Sequence, residues 1–239
     1  MHSRTLALAA ASGAALLAAA ALPATASPAT HDADVRAPGA GEPVEGTVTA
    51  VQLLAKVKGC VQVSAGKYRK DAGGAATVPV CGKNGAVFWK ADMDIDCDGQ
   101  VTGKCNRKSD PWFLPDTAFH QSNGKPLNSE KLPHIVVPAP SRIWRYPASG
   151  VKGGGVVAVI HKDKVRYGVV GDTGPSRIIG EASYGMARSL GINPHPVSGG
   201  VASGVTYILF TDSKVKPIES HSAAVKLGDS LARRFLREN

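Results

Sequence analysis

Between Trp89 and Gly99 the chain reads WKADMDIDCDG, with Asp92, Asp94, Asp96 and Asp98 at two-residue intervals. The whole sequence carries 28 Lys+Arg against 19 Asp+Glu, a net charge of +9, so this run reverses the bulk charge locally. On a strand, period two puts Asp92, Asp94 and Asp96 on one face and Met93 and Ile95 on the other. Carboxylates this close repel one another unless a cation lies over them. The run is therefore either a solvated face ending in a turn at Asp98-Gly99, or a negative cleft that binds amines and holds a carboxyl of raised pKa. Asp94-x-Asp96-x-Asp98-Gly99 also matches the first half of an EF-hand loop. The twelfth position is Cys105 instead of the bidentate Glu, and a strand precedes the loop, which excludes an EF-hand. An irregular calcium loop stays open.

A second acidic pair lies in YGVVGDTGPSRIIGEAS, residues 167–183. Asp172-Thr173-Gly174 has the form of an aspartic-protease motif, but that chemistry needs two such motifs. Asp212-Ser213 is followed by Lys214, so the second is missing. Asp172 ends a β-run, and Glu181 precedes a helix. Two carboxyls so placed can face each other across a cleft, as glycoside cleavage requires of its acid and its base. The alternative is a loop aspartate and a helix-capping glutamate.

These side chains need a frame. Residues 85–96, 134–140 and 204–211 read as strands, and 154–172 reads as a hairpin turning at Lys162-Asp163-Lys164. Helices are predicted over 48–57, over 184–190 from an N-cap at Ser183 to a stop at Gly191, and over 220–236. The last has Ala224, Leu227, Leu231 and Phe235 on one face. Most links between strands are too short for helical crossovers. The fold class is thus mainly β with peripheral helices, closer to a barrel than to a parallel sheet.

The first 26 residues have His2 and Arg4 before an alanine-rich apolar run ending in Ala24-Thr25-Ala26, which reads as a secretory signal peptide. Residues 27–46, rich in Pro, Ala and Gly, read as a flexible leader, and residues 47–239 as one catalytic domain. A secreted, extracellular chain with Cys60, Cys81, Cys97 and Cys105 is expected to form disulfides, and sequence proximity favours Cys60–Cys81 and Cys97–Cys105. Their spacing has no CxxC and does not suit a zinc module. Lys and Arg are scattered and aromatics are only 5%. This argues against nucleic acid as a partner. No later segment suits a membrane span, and nothing signals an oligomer, so a monomer is expected.

Taken in order, MDIDCDG (93–99), TAF (117–119), PHIVVP (133–138), YGVVGD (167–172), GEAS (180–183) and YILFT (207–211) resemble the chitosanases of glycoside hydrolase family 75. That resemblance implies endo-hydrolysis of β-1,4-linked glucosamine in chitosan, with inversion; no cofactor or metal is expected. It identifies Asp172 and Glu181 as the essential carboxylates. Glu181, among Ile178, Ile179 and Ala182, would be the acid, its pKa raised by desolvation. Asp172, on a polar turn with Thr173, would stay ionised as the base. The roles could be exchanged, or Asp94 or Asp96 could supply the base. Chitosan is cationic in mild acid, so Asp94 and Asp96 would hold its ammonium groups. Asp92 and Asp98 would do the same or shape the turn, and Thr173 would contact substrate. Trp112 and Tyr146 would stack on sugars or pack in the core. VVGDTGPSRIIGEAS is also similar to the double-psi β-barrels of expansins and of rare-lipoprotein-A-type transglycosylases. It implies a six-stranded double-psi-like barrel and two rivals: a peptidoglycan lytic transglycosylase and a non-catalytic wall-glycan-binding module.

Overall fold

A computed structural model describes residues 45–239. The expected signal peptide and all of the expected leader except Glu45 and Gly46 lie outside the described residues. Those two residues are fixed against the barrel. The Glu45 carboxylate accepts from the Tyr167 backbone N–H at 2.9 Å and pairs with His221 at 2.9 Å.

Among the described residues eight strands form one sheet: β1 (Val61–Gln62), β2 (Cys81–Lys83), β3 (Ala86–Asp96), β4 (His134–Pro138), β5 (Val156–His161), β6 (Lys164–Gly174), β7 (Glu181–Ser183) and β8 (Val201–Phe210). Six of them close on themselves in the order β3-β7-β4-β6-β5-β8, with β8 pairing back onto β3. Closure removes the exposed edges that six open strands would leave. The ring contains two parallel pairs, β3–β7 and β4–β6, which a simple up-and-down meander lacks. The expected six-stranded barrel is thus the observed architecture. Helix α1 (Ala50–Lys56) and helix α3 (His221–Glu238) lie outside it, and α2 (Tyr184–Leu190) follows β7 directly.

Alternation along β3 decides what the barrel encloses. Val87, Trp89, Ala91 and Met93 enter the interior cluster, where Trp89 stacks on Tyr207 at 5.3 Å. Phe88 joins a second cluster with Ile160, Tyr167, Phe210 and Phe235, which seats α3 on the barrel wall. The aspartates of β3 share the parity of Phe88 and so turn away from the barrel interior, although Asp92 is itself buried on that outer face. Both disulfides, Cys60–Cys81 and Cys97–Cys105, pair as proximity suggested. Among the described residues no helix is long and apolar enough to cross a membrane.

Candidate active site

Strand β7 is three residues long, and its place in the barrel builds the site. Asp94 is level with Glu181 and Asp96 with Ser183 in the parallel β3–β7 ladder, while Ala182 pairs with Ile135 of β4. Ala182 is wholly buried in the interior cluster, so alternation turns Glu181 and Ser183 the other way. Ser183 locks the strand end. Its hydroxyl caps α2 by accepting from the Met186 N–H at 3.1 Å, accepts from the His134 N–H at 3.0 Å and donates to the Leu132 carbonyl at 2.9 Å. On the other side of Glu181, the Tyr207 hydroxyl lies 2.8 Å from the Asp92 carbonyl and 3.3 Å from that of Gly180.

Glu181 opens into a cavity of about 480 Å³ lined by Asp96, Asp98, Asp110, Asp172, Thr173 and Trp112, among others. Among the described residues five carboxyls line it, and no Lys, Arg or His does. Asp172, near the end of β6, is level with Val136 of β4. It is 7% exposed, so it is buried, not set on an open polar turn as expected. Its Oδ1 accepts from the Ala118 and Thr173 N–H groups, each at 2.7 Å. This gives the 117–119 segment its place in the site. Burial pushes the Asp172 pKa up, and these two hydrogen bonds to the charged form oppose the rise. Glu181 has no such compensation. Burial first, then Asp94 and Asp172, raise its pKa to about 7, and among the described residues no hydrogen bond reaches its carboxyl. Both carboxyls are thus raised, Glu181 without compensation and Asp172 against two hydrogen bonds to its charged form.

The end of the acid run shapes the rim. The Asp98 N–H donates to Asp96 Oδ1 at 2.8 Å, and Asp98 Oδ1 accepts from the Leu114 N–H at 2.7 Å. Gly99 has φ +117°, and a Cβ there would lie 2.2 Å from the Leu127 carbonyl oxygen. The Cys97–Cys105 bridge fixes the base of the loop carrying Asp98. Asp96 titrates well above the usual range, because it is buried and faces Asp98 and Asp172. Asp98 is raised to about 6, chiefly by burial.

The structure brings together Glu181, Asp172, Asp96, Asp98 and Thr173. It puts Asp92 and Asp94 in a second pocket with Asp71. The uniform acidic face is thereby divided between two pockets. Trp112 is 76% exposed on the main cavity, whereas Tyr146 is 8% exposed and packs against Trp144 in the core. Asp110 escaped sequence reasoning, since a lone aspartate in a loop carries no periodic signal.

Gly174 sets the position of Glu181. A Cβ on it would lie 2.5 Å from Glu181 Oε2. Gly174→Ala is expected to displace that flexible carboxyl while sparing the fold, lowering kcat about 10–100-fold with little change in the thermal midpoint. Steady-state kinetics beside a circular-dichroism melt check this. Unchanged kcat would mean that the Glu181 position is immaterial.

A closed barrel with Glu181 and Asp172 among five carboxyls lining one cleft has the residue types that glycoside cleavage needs. The chain belongs to the fungal chitosanases of glycosyl hydrolase group 75, whose family model matches residues 93–235. It is 36% identical over 137 residues to endo-chitosanase C of Aspergillus oryzae, covering 54% of this chain and 33% of that protein. It is 32% identical over 160 residues to an endo-chitosanase of Aspergillus fumigatus, covering 60% and 66% respectively. With an endo-chitosanase of Aspergillus oryzae it shares 32% identity over 173 residues, 62% and 69% of the two chains. The matched region thus spans only about a third of endo-chitosanase C.

Proposed function

We propose that this protein is an exported endo-chitosanase that hydrolyses β-1,4 bonds between glucosamine units with inversion. The observation that carries the reading is the cleft itself: five carboxyls and, among the described residues, no Lys, Arg or His, in a chain of net charge +9. Such a cleft selects a cationic polymer against the bulk field of the protein. Asp96, Asp98 and Asp110 hold glucosamine ammonium groups by charge-assisted hydrogen bonds. An acetamide carries no charge and would leave those acids unpaired, which disfavours chitin. The relatives are endo-chitosanases by name, which supports chitosan as the substrate. Disulfides at all four cysteines suit an oxidising compartment outside the cell.

In this mechanism Glu181 gives its proton to the glycosidic oxygen as the C1–O bond breaks. Asp172 takes a proton from the water that attacks C1 from the opposite face. Asp172 and Glu181 stand on β6 and β7, which flank β4. Two strand spacings put their backbones roughly 9–10 Å apart, leaving room for that water. Trp112 offers an exposed ring to a sugar face at the cleft.

A reducing-end assay on chitosan, chitin and peptidoglycan tests the reading, with proton NMR of the first product. New ends from chitosan, few from chitin, and an α-anomer at the outset are expected. Anhydro products from peptidoglycan would favour a lytic transglycosylase, and binding without new ends a wall-glycan-binding module.

A further inference from the structure

Outside the catalytic cleft, Asp71, Asp92 and Asp94 each place a carboxylate oxygen within 4.8 Å of the others. They share a pocket of about 240 Å³ with Lys70 and residues 199–202. Asp71 sits in a turn far from β3 in sequence, so this is not the sequential loop of alternating aspartates. Proximity of acids alone proves little. The second observation is Asp92: it is 3% exposed, and its Oδ1 is buried with no hydrogen-bond partner. A buried carboxylate oxygen left unpaired costs free energy unless a cation or donor reaches it. Lys70 does not bond that oxygen. Its ammonium donates to the Ala202 carbonyl at 2.7 Å. One ammonium against three carboxyls leaves the group rich in acid, as a cation site requires.

We propose that Asp71, Asp92 and Asp94 form a calcium site that pins the Asp71 turn to β3, beside the strand that carries Glu181. All-oxygen donors suit a hard cation. The spread of the three oxygens is one that Ca²⁺, with bonds of about 2.3–2.6 Å and a tolerant geometry, bridges more readily than Mg²⁺. Waters and local carbonyls complete its shell. The ion acts on stability and on the position of β3, not on the bond being cleaved.

The test uses full-length, chelator-stripped protein. Calcium chloride at about 10 mM is expected to raise the thermal midpoint by about 3–8 °C, with a binding heat at one ion per chain. Sodium chloride of equal ionic strength should do neither. Asp71→Asn, an exposed change that spares the core, should weaken binding tenfold or more. Asp92→Asn should abolish the calcium shift if it folds. Absence of heat and of any shift, or an unaltered response in Asp71→Asn, overturns the site. A shift given by glucosamine hydrochloride instead, and lost in Asp71→Asn, overturns it in favour of an outer sugar subsite. Glu181→Gln should bind calcium like the parent protein, so this result stands apart from that of the chitosan assay.

Discussion

Glu181→Gln should abolish chitosan hydrolysis, lowering kcat by about 10³-fold or more, while the fold survives or gains stability. The amide has nearly the shape of the carboxyl but cannot donate a proton to a departing oxygen. The defect should shrink for a chitooligosaccharide fluoride, whose leaving group needs no protonation. The stability effect has a definite sign. The Glu181 pKa is raised from 4.5 to about 7 by burial and by neighbouring carboxylates. A raised acid contributes stability that is fully present below its unfolded pKa and is lost as pH rises through the folded value. The parent protein should therefore lose on the order of 2 kcal/mol at this residue between pH 4.5 and about 7. The Gln variant does not titrate there. Its melt should match the parent near pH 4 and exceed it near pH 8, and identical pH dependences would contradict the buried-acid assignment. The same titration predicts that kcat falls on the alkaline side as Glu181 loses its proton.

Asp172→Asn should lower kcat comparably, about 10²–10⁴-fold, with KM little changed. Asn can still accept the Ala118 and Thr173 N–H bonds through its carbonyl oxygen, so the turn should hold and the melt should be preserved. What disappears is the acceptor for the proton of water. The fluoride substrate separates the two roles, because it relieves the need for an acid and not for a base. Asp172→Asn should be as defective on the fluoride as on chitosan. Recovery on the fluoride would reverse the roles of Asp172 and Glu181. Substantial turnover of chitosan by Asp172→Asn would point to Asp96, beside it in the cleft, as the base.

Long elements were legible in the sequence because their signals are local. The strand at 85–96 and the helix at 184–190 depend on alternation, on the Ser183 cap and on the Gly191 stop. Each recurs in the fold, as β3 and as α2 with its cap bonded to Met186. The hairpin around 162–164 did the same, its turn taken by Lys162 at φ 56°. The two disulfides followed proximity. Three-residue β7 left no such trace. So short a strand has no periodicity to read, and it exists because β3 and β4 supply hydrogen-bond partners on either side.

By itself, then, the sequence determined the mainly β class, the inward and outward faces of β3, and the concentration of acid in an otherwise basic chain. Each follows from residue type and spacing over a few positions, where a strand or a helix leaves little freedom. Only the tertiary structure decided which acids meet. It slid β7 beside β3 so that Glu181 stands level with Asp94, and it brought Asp172 across β4 toward the same cavity. It divided the aspartate run, giving Asp96 and Asp98 to the cleft with Asp110, and Asp92 and Asp94 to the pocket with Asp71. The reason is physical. Side-chain periodicity fixes the face on which a carboxyl emerges, but its pKa and its partners depend on the burial and charge that distant segments bring when the barrel closes.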